Sequence, residues 1–204
     1  MAVASQTLAP DPRVDQRVIL HGVPWWQYEA LLAMRGERSA PRITYLRGEL
    51  ELMSPSYDHE EVKTRLARLV EAWAEEAGVP LTGLGSWTLR HADAARGAEP
   101  DECYALGAFG RRGPRPTAPD LVIEVIWTHG GLDRLEVYRG LGVNEVWIWE
   151  DGAIRVQVLQ GDQWNTLPQS RLLPGIDLGF ITELLEEDTQ LDALRRLRER
   201  ARGA

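Results

Sequence analysis

The stretch Asp120-Leu121-Val122-Ile123-Glu124-Val125-Ile126 decides the fold predicted for this chain. Its Leu, Val and Ile residues are typical of a strand buried on both faces near the centre of a sheet. Glu124 interrupts that apolar run. A carboxylate in such a strand loses hydration and needs a partner, a proton or a metal ion. The stretch therefore predicts a central strand that carries an acid with a function.

Two further stretches supply charged residues on either side of this strand. Glu99-Pro100-Asp101 opens an earlier strand, and residues 132–138 form a short helix after the central one. Alternate residues of a strand share a face, so Asp101 and Glu124 converge if their strands are neighbours, although 124 − 101 = 23 positions separate them. Arg134 and Tyr138 stand four residues apart on the helix and share its face.

The hydrophobic pattern along the rest of the chain predicts a mixed α/β or α+β fold. Apolar residues at helical spacing predict a long helix over 59–77, and shorter helical segments are predicted over 24–34, 131–140 and 180–202. Strands are predicted over 43–46, 49–53, 84–90, 100–106, 121–127, 145–149, 154–159 and 164–167. Residues 91–97 are predicted to form a turn. We divide the chain into an N-terminal arm (1–17), one domain (18–185) and a charged C-terminal helix (186–204).

Composition excludes several classes of protein. The chain has 204 residues and a formal net charge of −8, which argues against a protein that coats nucleic acid broadly but leaves room for a compact metal site. No apolar run reaches the ~20 residues that span a bilayer. The N-terminus lacks the features of a secretory signal, so we expect a cytoplasmic protein. The single cysteine, Cys103, excludes an intramolecular disulfide and a cysteine-based zinc site.

Converging carboxylates form an oxygen-rich site that suits Mg²⁺ or Mn²⁺. Such an ion polarises a phosphoryl oxygen and lowers the pKa of bound water. Arg134 would supply a fixed cation beside the charge that develops in phosphodiester hydrolysis.

Four motifs in order resemble a known family. They are G-x-L-x-x-M-S-P-x-x-x-H at 48–59, P-D at 100–101, V-x-E-V at 122–125 followed by D-K-x-x-x-Y at 133–138, with arginine in place of its lysine, and G-V-x-E-V-W at 142–147. The chain resembles the Uma-two branch, once labelled domain of unknown function 820, of the PD-(D/E)XK restriction-endonuclease-like superfamily. The resemblance covers about residues 18–185.

The resemblance implies a restriction-endonuclease-like core, a mixed sheet flanked by helices with an extra N-terminal hairpin and C-terminal helix. It also implies an endonuclease that cleaves DNA with Mg²⁺ or Mn²⁺. Asp101 and Glu124 become metal ligands, with Glu51 (or Glu49) and His59 as further candidates.

One position departs from the family pattern. The superfamily's lysine, two residues after the glutamate, is Ile126 here, and in this branch its role moves to the position of Arg134. Arginine cannot give up a proton. Arg134 can therefore replace the lysine if the lysine acts electrostatically, but not if the lysine must transfer a proton. Of the 23 basic residues 22 are arginines, which makes neutral drift an alternative explanation.

Each candidate residue also has a structural alternative. Glu124 could form a structural ion pair with Arg134. Asp101 and Asp120 could serve merely to begin their strands, and Glu51 could face solvent. His59 could cap the long helix or hydrogen-bond outside the metal shell, and Tyr138 could be core. Arg111, Arg112 and Arg115 form either a solvated loop or a contact to DNA phosphates.

Two functions compete with the endonuclease. The first is a catalytically weakened or inactive relative that acts as a nucleic-acid or protein interaction module, favoured by the missing lysine and the acidic net charge. The second is a structural homo-oligomer. Its dimer surface would use the hairpins over 154–167 and an apolar stripe of C-terminal leucines: Leu184, Leu185, Leu191, Leu194 and Leu197. A homodimer is also compatible with a nuclease that cuts both strands.

Overall fold

The structure is a computed structural model that describes residues 13–107, 109 and 115–203. Its helices are α1 (Trp25–Arg35), α2 (Tyr57–Glu76), α3 (Arg134–Arg139), α4 (Leu178–Leu185) and α5 (Gln190–Gly203). Its strands are β1 (Gln16–Leu20), β2 (Arg42–Leu46), β3 (Glu49–Ser54), β4 (Leu81–Gly83), β5 (Leu89–His91), β6 (Arg96–Ala98), β7 (Glu102–Leu106), β8 (Leu121–Ile126), β9 (Glu145–Glu150), β10 (Ala153–Gln160) and β11 (Gln163–Leu167). The predicted α/β class is confirmed.

The strands form two sheets, whereas the sequence predicted one mixed sheet. The first sheet has the order β1-β3-β2-β6-β5 and is antiparallel throughout. The second has the order β11-β10-β9-β8-β7-β4 and is mixed, because β8 and β9 are parallel and the other pairs antiparallel. Strand β8 lies inside the second sheet, as its apolar sequence predicted.

Helices cover both faces of the second sheet. On one face, α2, α4 and α5 bury leucines such as Leu66 and Leu184 against Ile123 and Trp147. On the other face, α3 packs Val137 and Tyr138 against Val122. Successive residues of β8 therefore enter different cores, and Glu124 belongs by alternation to the face that α3 covers.

Helix α2 has its own start and stop signals. The side chain of Ser56 accepts a hydrogen bond from the backbone N–H of His59, which satisfies a free donor of the first turn. After the helix, Gly78 adopts a positive φ of 66°, a conformation that glycine tolerates best.

The structure differs from the sequence prediction in four places. Strand β1 begins inside the predicted arm and Asp15 is buried, while residues 1–12 lie outside the described part. The predicted strand 84–90 is wrong, since β4 and β5 belong to different sheets. Part of the predicted turn over 91–97 is strand β6. The C-terminal segment is two helices, because the chain turns after Leu185 and folds α5 back onto α2 and α4.

The leucine stripe predicted as a dimer surface is mostly internal. Leu184, Leu185 and Leu197 are buried in the core that α2, α4 and α5 share, and Leu194 packs against it. Only Leu191 of the five is exposed. In the described ranges, no helix has both the length and the apolar character needed to cross a membrane.

Candidate functional site

The site forms where β7 and β8 lie side by side. Glu102 pairs with Ile123 and Cys103 with Val122, so the next step of the same register sets Asp101 opposite Glu124. The backbone N–H of Val125 donates to Asp101 Oδ2 at 2.7 Å and continues the ladder through a side chain. Strands β7 and β8 are therefore neighbours, which is the condition that the sequence set for the two acids to converge.

Asp101 is buried and contacts His59 and Arg42. His59 Nε2 lies 2.8 Å from Asp101 Oδ1, and the Arg42 guanidinium forms an ion pair with the same oxygen. These contacts fix the position of the Asp101 carboxylate.

His59 links Asp101 to a second buried acid. Its Nδ1 lies 3.1 Å from Asp15 Oδ2, and the backbone N–H of Ser56 donates to Asp15 Oδ1 at 2.8 Å. Burial opposes ionisation of Asp15, but the hydrogen bonds with His59 and Ser56 outweigh it, and the pKa of Asp15 is lowered. The side chain of His59 makes hydrogen bonds to two carboxylates and does not cap the helix. The cap of α2 is Ser56.

Glu124 is held by a residue of α3. The hydroxyl of Tyr138 donates to Glu124 Oε1, and both side chains are buried. Burial, together with the negative charge of Glu124, raises the pKa of Tyr138 well above its ordinary value. Tyr138 thus stays a neutral donor that fixes one oxygen of Glu124. Within the described ranges, the structure gives no hydrogen bond to the other oxygen.

Arg134 pairs with Glu51 and not with Glu124. Its Nη2 lies 2.7 Å from Glu51 Oε1, and its Nη1 contacts Thr44 Oγ1. Burial disfavours the charged guanidinium, but the charges of Glu124 and Glu51 outweigh that effect and raise the pKa of Arg134. Arg134 is therefore a permanent cation held between two carboxylates.

Glu51 is buried, so the alternative that it faces solvent is wrong. Its Oε2 accepts from the backbone N–H of Leu132 at 2.8 Å and lies 3.4 Å from Arg17 Nε. Arg17 in turn donates to the carbonyl oxygens of Thr128 and His129. Glu51 and Arg17 therefore fix the loop between β8 and α3.

A cavity of about 270 Å³ opens beside this group. Glu124 and Arg134 line it together with Arg17, Met53 and the 128–133 loop. At Gly131, an added Cβ would lie 2.7 Å from Glu51 Oε2 and would collide with it. Glu124 and Arg134 thus share one cavity, and a side chain at 131 would have to displace the Glu51 carboxylate.

Several predicted candidates lie elsewhere. Glu49 is partly exposed and lies 3.1 Å from His21 Nδ1, apart from Glu51. Asp120 Oδ2 accepts from the backbone N–H of Leu106 at 2.8 Å, which agrees with its alternative as a strand-starting residue. Arg115 is exposed, and Arg111 and Arg112 fall outside the described residues.

Sequence reasoning missed the residues that hold the site from the first sheet and the N-terminal segment. Asp15, Arg17, Arg42 and Thr44 all contact the candidate group, yet none stands in a distinctive motif. Their positions depend on pairing between distant segments, and the only local signal was an aspartate and an arginine close to the start of β1.

Three comparisons with known proteins bear on identity. No curated protein matches the chain. Among solved structures, a crystal structure described as a "putative nuclease belonging to DUF820" from Anabaena variabilis ATCC 29413 is 13% identical, with a TM-score of 0.49 and coverage of 81% of this chain and 96% of that one. A family model, Uma2, described as "Putative restriction endonuclease", matches residues 25–192, which include both candidate acids, Glu51 and Arg134. The chain belongs to the Uma2 family of restriction-endonuclease-like proteins.

Proposed function

We propose that this protein is a Mg²⁺- or Mn²⁺-dependent endonuclease that hydrolyses phosphodiester bonds of DNA. The family assignment supports a nuclease in general terms. One observation carries the finer proposal: Glu124 and Arg134 line the same cavity, and Asp101 stands opposite Glu124 on the neighbouring strand.

The donor chemistry fits a hard divalent cation. In the described residues, no group of three or more His, Cys, Asp and Glu side chains is placed to hold a metal. Mg²⁺ does not need one, since it usually binds through one or two carboxylates and completes its shell with water and substrate phosphate. Asp101 and Glu124 would be those two ligands, and each has an oxygen with acceptor capacity left.

The protein's own residues would then divide the remaining work. When bound, the ion polarises the phosphoryl oxygen and lowers the pKa of a bound water. Arg134 neutralises charge that develops on the phosphate, because its guanidinium is fixed in place before reaction. Tyr138 orients Glu124, and His59 with Arg42 orients Asp101. Arg134 stays protonated, so it does not act as the general base.

The test is relaxation of a supercoiled plasmid in Mg²⁺ or Mn²⁺. Asp101→Asn and Glu124→Gln keep the size of each side chain and remove its charge, and each should lower the rate about a hundredfold or more. Asp120→Asn is a matched control, since it changes the other Pro-Asp aspartate but retains an oxygen that accepts from Leu106. Equal cleavage by all four proteins, or no cleavage together with no metal binding by calorimetry, would refute the proposal.

The alternative is a relative that binds nucleic acid or protein but turns over weakly or not at all. It is favoured by arginine at the lysine position. The variant Arg134→Lys distinguishes a weakened nuclease from a binding module. A rise in cleavage would identify a weakened nuclease. DNA binding whose affinity changes neither with metal nor with the substitution would identify a binding module.

We also propose a homodimer, the arrangement that would let one particle cut both strands. Most of the C-terminal leucine stripe is used inside the chain, so the dimer would need another surface. Light scattering coupled to size exclusion decides this directly.

A further inference from the structure

A buried aspartate close to the start of β1, Asp15, reaches the candidate metal site through one intermediate residue. Asp15 lies outside residues 25–192, so the matched family region gives it no role. Its carboxylate contacts the imidazole of His59, and that imidazole contacts Asp101. We infer that Asp15 is a positioning residue of the proposed metal site, which it serves by orienting His59 and, through His59, the Asp101 carboxylate. This role rests on the proposed function, in which Asp101 is a metal ligand.

The imidazole of His59 is held at both of its nitrogen atoms. Nδ1 lies 3.1 Å from Asp15 Oδ2, and Nε2 lies 2.8 Å from Asp101 Oδ1. A half-turn of the ring about its Cβ–Cγ bond would exchange each nitrogen with a carbon, so both carboxylates would then face C–H groups. The contact at Nδ1 therefore holds the ring in the orientation that presents Nε2 to Asp101. Partners of the second ring nitrogen orient metal-binding histidines in the same way.

All three side chains are removed from solvent. Asp15 is 5% exposed, His59 0% and Asp101 1%. Because water has little access, each polar atom of this chain of contacts depends on its protein partner. Loss of the Asp15 carboxylate should therefore be felt at Asp101, since solvent cannot readily replace the missing contact.

Asp15 is itself fixed by two separate elements. Its Oδ1 accepts from the backbone N–H of Ser56 at 2.8 Å, at the start of α2. Its own backbone N–H donates to Thr128 Oγ1 at 3.3 Å, shortly after the end of β8. Asp15 thus joins the helix that carries His59 to the strand that carries Glu124, and its carboxylate has a fixed position relative to both.

Asp101 keeps other partners if His59 is released. The Arg42 guanidinium pairs with Asp101 Oδ1, and the backbone N–H of Val125 donates to Oδ2 at 2.7 Å. Loss of the Asp15 carboxylate should therefore weaken metal binding without abolishing it. Removal of an outer hydrogen-bonding partner of a metal ligand lowers metal affinity by about tenfold or more.

The experiment is isothermal titration of the full chain with Mn²⁺ at neutral pH. Asp15→Asn keeps the size of the side chain and an oxygen for the Ser56 N–H, but removes the carboxylate from His59. The Kd for Mn²⁺ should rise about tenfold in Asp15→Asn and by a similar factor in His59→Gln. The double variant should bind Mn²⁺ as His59→Gln does, because the effect of Asp15 passes through His59.

A matched control separates positioning from stability. Glu145→Gln changes another buried carboxylate, which accepts from Trp147, Ser170 and Arg171 and contacts neither candidate acid. It should lower the Tm but leave the Kd for Mn²⁺ unchanged. Asp15→Ser also removes the carboxylate from His59, and it replaces Asp15→Asn if that variant does not fold.

A second readout requires no metal. In EDTA, the ¹⁵N resonances of the His59 ring, assigned among the four histidines with His59→Gln, should shift in Asp15→Asn and stay in place in Glu145→Gln. Unchanged resonances in Asp15→Asn would overturn the inference.

The titration also distinguishes failure of this inference from failure of the proposed function. If Asp101→Asn abolishes Mn²⁺ binding but Asp15→Asn binds as tightly as the parent, the role of Asp15 is wrong and the metal site stands. The same holds if Asp15→Asn weakens binding equally with and without His59, since Asp15 would then act by another route. A parent that binds no Mn²⁺ would refute the proposed metal site and, with it, the role of Asp15.

Discussion

Removing the hydroxyl of Tyr28 should stabilise this protein. Tyr28 is fully buried, and its hydroxyl has no hydrogen-bond partner among the residues that the structure describes. An added Cβ at Gly97 would lie 2.1 Å from that oxygen, so the packing on this side leaves no space for a bridging water. A buried hydroxyl without a partner costs about 1–3 kcal/mol. Burial raises the pKa of Tyr28 as well, so ionisation does not relieve that cost.

The void left by Tyr28→Phe offsets little of the gain. A gap of roughly 15 Å³, at about 24 cal/mol per Å³, costs roughly 0.4 kcal/mol. The free energy of unfolding should therefore rise by roughly 1–2 kcal/mol, which corresponds to an increase in Tm of about 2–8 °C for a chain of this size. Urea denaturation should show a higher midpoint with an unchanged slope.

Tyr45→Phe is the matched control and should have the opposite sign. The two rings stack with centroids 5.1 Å apart, but the hydroxyl of Tyr45 donates to the carbonyl oxygen of Val23 at 2.8 Å. Its removal leaves a buried acceptor without a partner and should cost about 1–2 kcal/mol. If Tyr28→Phe destabilises the protein as much as Tyr45→Phe, the hydroxyl of Tyr28 has an acceptor and the reasoning fails.

Three further predictions concern the site and its surroundings. Gly131→Ala should displace Glu51, lower the free energy of unfolding by about 1–3 kcal/mol and reduce plasmid cleavage; full activity with an unchanged Tm would contradict this. Burial raises the pKa of Cys103 to about 12, so a disulfide reagent at pH 8 should label it only at the rate of unfolding, and rapid labelling of the native chain would contradict that. Asp15, whose pKa is lowered from 3.8 by His59, stabilises the fold at pH values above 3.8, and this contribution is lost as the pH falls through the lower, folded-state pKa. The stability gap between the parent and Asp15→Asn, measured by urea denaturation, should therefore be widest near neutral pH and close in acid; a gap that is independent of pH would refute the linkage.

The elements that the sequence predicted well are those whose pattern is local. Strand β8 has a continuous apolar run, and α2 has helical spacing with a capping serine, so each could be recognised without its neighbours. The short strands β4 and β5 could not, because three residues carry little pattern and their assignment to different sheets depends on distant partners.

The same distinction applies to the candidate site. Asp101 and Glu124 could be selected as candidates because a carboxylate at the start of an apolar strand, or within one, is conspicuous in the sequence. Glu51 alternates with leucines in β3, a pattern that is typical of any strand with one solvent-exposed face. Glu51 is buried because the 128–132 loop and α3 pack over that face. This packing cannot be predicted from the sequence around Glu51.

Arginine at the lysine position has a physical consequence beyond compositional bias. Arg134 is the first residue of α3, against the second sheet, while its guanidinium contacts Thr44 on β2 and Glu51 on β3 of the first sheet. A planar fork reaches both partners at once, whereas an ammonium is a single point charge. The residue therefore joins the two sheets at the cavity wall and keeps its charge there. Because Arg134 remains a cation, another group must accept the proton in the proposed hydrolysis, and Glu124, His129 and Asp133 share the cavity with it.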